Sequence, residues 1–281
     1  MLIAESGSTK TDYRLILSEE RIIQIEGEGI HPYMEDEEKI TAKLRQTFSS
    51  HPIEEVKEIF YYGTACSSEE NRKKVKNAFS TLFQQAEVQV EHDLLGAARA
   101  ACGRNAGLAG ILGTGSNCCL FDGENIVEEF PSSGYILGDE GGGVFMGKIL
   151  LKDFIENRMP TEIRERFVQR YNLSRHEILQ RLLGEERANK FIASFAMFLY
   201  HHREHPYIHG IVQHNFKKYF EVQVSSFSDY RKYQLNLVGS IAFYFQEYIR
   251  DIADQQGISI GSVLEKPIAG LTLYHLPELH N

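Results

Sequence analysis

The feature that most constrains this chain is a strand–turn–strand unit rich in glycine and hydroxyl residues, which occurs twice. The first copy spans residues 1–17 around the turn ESGSTKTD, and the second spans residues 108–121 around the turn GTGSN. Such turns let the backbone approach a ligand closely and aim N–H groups at an anion such as phosphate. One copy alone could be an ordinary hairpin. Two copies predict a duplicated fold with one phosphate loop in each half.

The pattern of elements around the two turns predicts an α/β protein. The first half reads as βββαβαβα, and hairpin chemistry restarts at Leu108. The strands are predicted at 1–4, 13–17, 21–26, 57–62, 87–90, 108–112, 118–121, 126–130, 235–238 and 262–264. The helices are predicted at 36–48, 67–83, 94–102, 143–157, in most of 161–232, and at 241–255 and 267–276. No linker segment separates the halves, so we expect two domains that share a cleft.

Bulk properties exclude several classes of protein. The chain has 281 residues, a hydrophobic fraction of 42% and a net charge of −9, values of an ordinary globular protein that does not bind nucleic acid. Its cysteines lack Cys-x-x-Cys spacing, which indicates free thiols in a reducing compartment; they are Cys66, Cys102, Cys118 and Cys119. No apolar run is long enough to span a membrane, and a charge follows residues 1–4 at once. We expect a cytoplasmic protein without a membrane partner.

Six segments, taken together and in order, resemble the N-acetylglucosamine kinase group of the acetate and sugar kinase/Hsc70/actin superfamily, which is related to the BadF/BadG/BcrA/BcrD ATPases. The segments are SGSTKTD, HDLLGAARA, ILGTGSNC, GYILGDEGGG, LVGSIA and PIAGLTLYH. The resemblance implies a duplicated actin-like/ribonuclease H-like ATPase fold, with two domains and a central cleft. Residues 1–106 would form the first domain, completed by a C-terminal helix in 267–281, and residues 107–266 would form the nucleotide-binding domain.

The resemblance also implies an ATP-dependent kinase that phosphorylates an amino sugar, with the 6-hydroxyl of N-acetylglucosamine as the expected acceptor. Phosphoryl transfer requires donors around the phosphates, a metal such as Mg²⁺ and a carboxylate that accepts the hydroxyl proton. The expected phosphate-binding residues are Gly7, Ser8, Thr9 and Lys10 in the first turn, and Thr114, Gly115 and Ser116 in the second. Gly239 and Ser240 resemble the adenosine loop.

Asp93 is the candidate general base. It lies where a strand ends and a helix begins, a usual place for functional residues in α/β sheets. From position alone, an N-cap for the helix 94–102 is the competing interpretation. The resemblance favours the base, because kinases of this group have their catalytic aspartate in a matching Asp-x-x-x-Ala-Ala run.

Asp139 and Glu140 are the candidate sugar-binding carboxylates. Carboxylates can accept two hydrogen bonds from neighbouring hydroxyls, although a solvated acidic turn would look the same in sequence. The resemblance assigns Asp139, and with it Glu140, to the substrate. Further substrate-binding positions implied by the resemblance are His31, Thr64, Asp93, Asn117, Cys118 and Ser132.

The chain departs from the family pattern at three positions. Glu5 stands where an aspartate usually holds hydrated Mg²⁺, His31 stands where asparagine is frequent, and Ser133 stands where the eukaryotic kinases often have tryptophan. Two alternatives therefore stay open: an ATPase that activates a partner enzyme through a cysteine-bound iron–sulfur cluster, and a non-catalytic sugar sensor. The family also allows a homodimer.

Overall fold

The chain forms two compact units in a computed structural model that describes residues 1–7, 10–18, 20–184 and 187–276. Unit 1 comprises Met1–Asn105, Gly123–Asn125 and the described residues from Lys266 onward. Unit 2 comprises Ala106–Asp122 and Ile126–Glu265. No helix within the described ranges is both long enough and apolar enough to span a membrane.

Unit 1 is built on a five-stranded mixed sheet. Its elements up to residue 105 are β1 (Leu2–Ser6), β2 (Lys10–Ser18), β3 (Arg21–Glu28), α1 (Glu37–Phe48), β4 (Glu58–Gly63), α2 (Glu69–Leu82), β5 (Glu87–His92) and α3 (Asp93–Cys102). The sheet order is β3-β2-β1-β4-β5. Strands β1 to β3 are antiparallel, whereas β4 and β5 run parallel to β1.

Alternation along β1 separates the core from the site. Leu2 and Ala4 are fully buried in a core cluster with residues of α1 and α2. Because successive side chains of a strand point to opposite faces, Ile3 and Glu5 face the other side of the sheet. Helix α3 packs against β1, β4 and β5 there, and it places charged and polar groups at the strand ends.

Unit 2 repeats the same sheet. Its strands are β6 (Gly107–Leu112), β7 (Ser116–Phe121), β8 (Ile126–Glu129), β9 (Leu235–Val238) and β10 (Ile260–Leu264). Its helices are α4 (Gly134–Leu137), α5 (Gly143–Ile155), α6 (Thr161–Tyr171), α7 (Arg175–Gly184), α8 (Ala188–Ala193), α9 (Ala196–His201), α10 (Pro206–Val222), α11 (Ser240–Tyr244) and α12 (Gln246–Gln256). The sheet order is β10-β9-β6-β7-β8, again three antiparallel strands followed by two parallel ones. The predicted duplicated α/β fold is confirmed.

The chain ends in α13 (Ile268–His275), which packs against α3, β1 and β2 within unit 1. Its attachment is polar as well as apolar, because the Tyr62 hydroxyl lies 2.8 Å from His275 Nε2 and receives a hydrogen bond from Arg99 at 2.8 Å. The last helix is therefore fastened to the sheet face that carries Glu5.

Several predicted boundaries were wrong. The helix predicted at 241–255 is divided into α11 and α12 at Phe245, whose φ of −103° and ψ of 19° leave the helical region. Strand β7 begins at Ser116, two residues before the predicted start, because Ser116 pairs with Leu112. The short helix α4 was not predicted.

Candidate functional site

The three parallel strands of unit 1 end at the same edge of the sheet. Ser6 pairs with Gly63, and Gly63 pairs with His92. The residues that follow these three strand ends are those predicted for the site: Gly7, Thr64 and Asp93. Functional residues gather at such carboxyl edges in α/β sheets, so the topology brings these three positions together.

Asp93 is the first residue of α3. His92 occupies the capping position and its side chain makes no capping hydrogen bond, so the interpretation of Asp93 as the N-cap is wrong. An anionic side chain in the first turn of a helix is favoured by the helix dipole. The position therefore suits a carboxylate.

Glu5, Asp12 and Asp93 form a cluster of carboxylates. Glu5 and Asp12 are paired across β1 and β2 and so share one face of the sheet. Burial, together with the negative charges of Asp12 and Asp93, raises the pKa of Glu5 to about 7, although the Lys266 ammonium opposes the shift. Glu5 is therefore poised to exchange a proton near neutral pH.

Two lysines bind the Asp12 carboxylate. Lys266 Nζ lies 3.0 Å from Asp12 Oδ2, and Lys10 Nζ lies 3.4 Å from Asp12 Oδ1. Lys10 also forms an ion pair with Glu26. A contact of Lys10 with a phosphate would thus replace one of these carboxylate partners.

The first turn is closed by a hydrogen bond from Gly7 N–H to the Lys10 carbonyl, at 3.0 Å. Ser8 and Thr9, predicted to bind phosphate, lie outside the described residues. Gly7 and Lys10 are therefore the described ends of this turn.

The loop that carries His31 is held beside the end of β1. The N–H of Ile30 donates to Ser6 Oγ at 3.2 Å, and Lys74 Nζ donates to the Pro32 carbonyl at 2.6 Å. His31 Nδ1 is buried, and no described residue hydrogen-bonds to it. A buried ring nitrogen without a protein partner suits a ligand hydroxyl or an ordered water.

In unit 2 the predicted second phosphate turn packs directly on the glycine-rich loop. Gly143 N–H donates to the Gly113 carbonyl at 2.8 Å, and Val144 N–H donates to the Thr114 carbonyl at 2.9 Å. A Cβ added at Gly142 would lie 2.7 Å from the carbonyl carbon of Gly115. Only glycine permits this backbone approach.

Gly239 joins the same cluster from β9. Its φ is +119°, and an added Cβ would lie 2.3 Å from the Leu112 carbonyl oxygen. Ser240 then begins α11. The predicted adenosine loop and the second phosphate turn are therefore adjacent, as expected when parallel strands β6 and β9 end together.

Asp139 touches the second turn. Its carboxylate accepts a hydrogen bond from Ser116 N–H at 3.4 Å, and its Oδ2 would lie 2.5 Å from a Cβ added at Gly115. Its backbone adopts a left-handed φ of 64°. Burial raises the pKa of Asp139, while the Ser116 amide and Lys148 oppose that shift. The carboxylate is thus partly desolvated and fixed in direction.

The Ser116 hydroxyl is already fully engaged. It donates to the Glu140 carbonyl at 2.7 Å and accepts a hydrogen bond from Gln223 Nε2 at 2.8 Å. A phosphate contact by Ser116 would therefore replace either this hydroxyl bond or the longer bond from its backbone N–H to Asp139.

The remaining predicted substrate residues lie on or after β7. Asn117 bonds to Glu129 and to the N–H of Cys118, each at 2.9 Å, and Cys118 is fully buried. Ser132 is exposed, and its hydroxyl accepts a hydrogen bond from Gly134 N–H at 3.3 Å. Within the described part of the chain, no hydrogen bond ties Ser132 to the other predicted residues.

Sequence reasoning missed four polar residues around the site. Asp12 and Lys266 belong to the carboxylate cluster of unit 1. In unit 2, buried Asn215 accepts a hydrogen bond from Gly141 N–H at 3.0 Å, and Gln223 contacts the same loop. Asn215 lies on the buried face of α10, and Gln223 is the buried residue that follows its last turn.

ATP and Mg²⁺ fit the residues that are present. Gly115, Gly142 and Gly239 leave no room for a Cβ around the second turn, so its backbone can approach a phosphate closely. Among the described residues, no three His, Cys, Asp or Glu side chains are grouped to hold a metal directly. Mg²⁺ usually keeps several waters and binds through one or two carboxylates. Glu5 remains the residue predicted for such a water-mediated contact.

Solved structures of sugar kinases resemble this fold. A Porphyromonas gingivalis protein assigned as an N-acetylglucosamine kinase is 32% identical, with a TM-score of 0.92 and 98% of each chain covered. A Chromobacterium violaceum protein with the same assignment is 14% identical, with a TM-score of 0.70 over 97% of this chain and 98% of that one. A Streptomyces griseus ROK family glucokinase, solved with glucose and AMPPNP, is 13% identical, with a TM-score of 0.55 over 98% and 96% of the two chains. No protein-family model and no curated protein matched.

The duplicated five-stranded sheet is an actin-like ATPase fold of the kind found in sugar kinases. The chain belongs to the N-acetylglucosamine kinase group, because its 32% identity to the P. gingivalis protein extends over nearly the full length of both chains. The predicted resemblance is confirmed.

Proposed function

We propose that this protein transfers the terminal phosphoryl group of ATP to the 6-hydroxyl of N-acetylglucosamine, with Asp93 as general base. The observation that carries the proposal is the position of Asp93. It opens α3 at the edge where β1, β4 and β5 end, beside the Glu5 carboxylate that couples to it electrostatically. The P. gingivalis relative supplies the expected substrate.

The chain's residues would divide the work of phosphoryl transfer. Asp93 accepts the proton of the sugar hydroxyl while the hydroxyl oxygen forms a bond to the terminal phosphorus of ATP. ADP leaves with the electrons of the broken P–O bond. Asp139 and Glu140 accept hydrogen bonds from other sugar hydroxyls. Glu5 would hold hydrated Mg²⁺ through a water, and the metal would supply positive charge that neutralises the phosphates.

Burial of the cysteines favours the kinase over a reductase-activating ATPase. An iron–sulfur cluster shared by two subunits requires thiols at a surface. All four cysteines are buried, and Cys66 and Cys118 are 0% exposed. Burial also raises the pKa of Cys66 to about 12, so the thiolate that would ligate iron is disfavoured.

The test is ADP release with Mg·ATP against N-acetylglucosamine, N-acetylmuramic acid, glucosamine, glucose and buffer alone. We expect turnover with N-acetylglucosamine, and phosphorus NMR should locate the new ester on the 6-oxygen. Asp93→Asn should lower kcat by about 10²- to 10⁴-fold. Asp36→Asn is the matched control, because asparagine caps a helix as well as aspartate and Asp36 caps α1.

Three outcomes would overturn the proposal. Full activity in Asp93→Asn would exclude Asp93 as the general base. Hydrolysis independent of sugar would indicate a partner-activating ATPase. Sugar binding without turnover would indicate a sensor and would direct attention to Glu5.

A further inference from the structure

Gln223 is an almost completely buried amide at the end of α10, with 1% of its surface exposed. Its Nε2 donates to Ser116 Oγ at 2.8 Å and to the Glu140 carbonyl at 3.3 Å. Its Oε1 is buried, and no described residue bonds to it. A buried acceptor without a partner is destabilising. We therefore look for the role of this side chain in the two hydrogen bonds that its N–H groups donate.

Those two N–H groups complete a closed triangle of hydrogen bonds. The third side is the bond from Ser116 Oγ to the Glu140 carbonyl, at 2.7 Å. The backbone of Gln223 is fixed as well, because Ser226 Oγ donates to its carbonyl at 2.6 Å. Ser116 therefore cannot shift without straining a bond to Glu140 or to Gln223.

The triangle connects the two parts of unit 2 that have different proposed roles. Ser116 closes the second phosphate turn, whereas Glu140 belongs to the loop whose carboxylates are proposed to bind sugar. Asp139 adds a further link, since it accepts a hydrogen bond from the Ser116 N–H. A ligand that orders one segment should therefore order the other.

We propose that Gln223 is a positioning residue that couples nucleotide binding at the second phosphate turn to sugar binding at the Asp139–Glu140 loop. This inference rests on the proposed function. Coupling between two ligands is reciprocal, and it usually changes each affinity by roughly 5- to 150-fold. The buried amide acts through its hydrogen bonds to Ser116 and Glu140.

The experiment measures the dissociation constant of N-acetylglucosamine by calorimetry, without and with saturating Mg·AMPPNP. In the wild type we expect AMPPNP to tighten sugar binding by about tenfold, within the usual range of coupling. In Gln223→Met, which keeps the length of the side chain but has no N–H donor, the ratio should fall to within about twofold of one. Gln213→Met makes the same change at a half-buried position of α10 and should keep the wild-type ratio.

A second variant keeps the inference testable if Gln223→Met does not fold. Ser116→Ala removes the hydroxyl at the centre of the triangle but keeps the backbone N–H of the turn, so it should lower the same ratio. A merely structural role would lower the melting temperature and leave the ratio unchanged, and that result would overturn the inference.

Failure of the inference is distinguishable from failure of the proposed function. A wild-type enzyme that phosphorylates the amino sugar but shows a ratio of one would overturn the coupling alone. A wild-type protein that neither binds nor phosphorylates an amino sugar would overturn both the proposed function and the coupling.

Discussion

The two units carry the same five-stranded sheet, yet the residues at equivalent strand ends differ in kind. At the end of β1, charged side chains dominate: three carboxylates and two lysines lie on one face of unit 1. At the end of β6, most contacts are made by backbone groups, glycines and neutral amides, as in the bond from Gly143 N–H to the Gly113 carbonyl. The Asp139 carboxylate joins them by accepting a hydrogen bond from Ser116 N–H.

The difference shows that the two copies of a duplicated fold can share their sheet order while the residues at their strand ends differ. Sheet order is retained, because the hairpin and the two crossovers define it. The strand ends are free to differ, because they lie at the edge and carry little of the core. Under the proposed function, unit 1 supplies charge for proton transfer and metal, and unit 2 supplies a close backbone surface for phosphates.

The largest expected effect tests the backbone contact of unit 2. In Gly142→Ala, the added Cβ would lie 2.7 Å from a backbone atom of Gly115, which cannot swing aside. We expect a loss of about 3 kcal/mol in the free energy of unfolding, at the upper end for overpacking. Urea denaturation followed by circular dichroism measures this loss.

Gly113→Ala is the matched control for that variant. It follows β6, its carbonyl accepts a hydrogen bond from Gly143 N–H, and no described atom lies within 4 Å of its added Cβ. Its stability should change by less than about 1 kcal/mol. Equal losses in the two variants would show that close packing does not distinguish these glycines.

Sequence could predict the features of the fold and the site that are local along the chain. The strands, their glycine-rich turns and the positions of Thr64 and Asp93 follow from elements that begin and end at recognisable residues. The break at Phe245 was missed because the apolar pattern of α11 continues into α12 without glycine or proline.

Contacts between distant segments could not be predicted in the same way. Lys266 meets Asp12 across 254 residues, and Gln223 meets Ser116 across 107. Neither segment carries a motif that indicates its partner, and packing alone decides which polar groups meet. The sequence therefore indicated which residues lie at the strand ends. It did not indicate which distant residues form hydrogen bonds or ion pairs with them.

The second prediction tests the charge cluster of unit 1 through pH. Because the pKa of Glu5 is raised from 4.5 to about 7 in the folded protein, the folded state binds this proton more tightly than the unfolded state. The contribution of Glu5 to stability is therefore full below pH 4.5 and is lost as pH rises through 7. The shift corresponds to about 3 kcal/mol.

Glu5→Gln removes this titration, so its free energy of unfolding should fall less between pH 5 and pH 8 than that of the wild type, by up to about 3 kcal/mol. Urea denaturation at four pH values in this interval measures the difference. Glu87→Gln, an exposed position on β5 of the same sheet, should keep the wild-type profile. Parallel profiles for wild type and Glu5→Gln would show that burial and the neighbouring carboxylates do not raise the pKa of Glu5.

The smallest expected effect separates the charge of Lys266 from its packing. The ammonium pairs with buried Asp12, but half of its side chain is exposed, so solvent screens the pair. Lys266→Met should lower stability by at most about 1 kcal/mol, and the loss should shrink as NaCl rises from 0.05 to 1 M. Lys218→Met, which breaks an exposed pair with Glu221 on unit 2, should have no measurable effect. A stability loss that persists in 1 M NaCl would show that Lys266 acts through packing of the segment before α13. The contrast in charge between the units would then depend on the carboxylates alone.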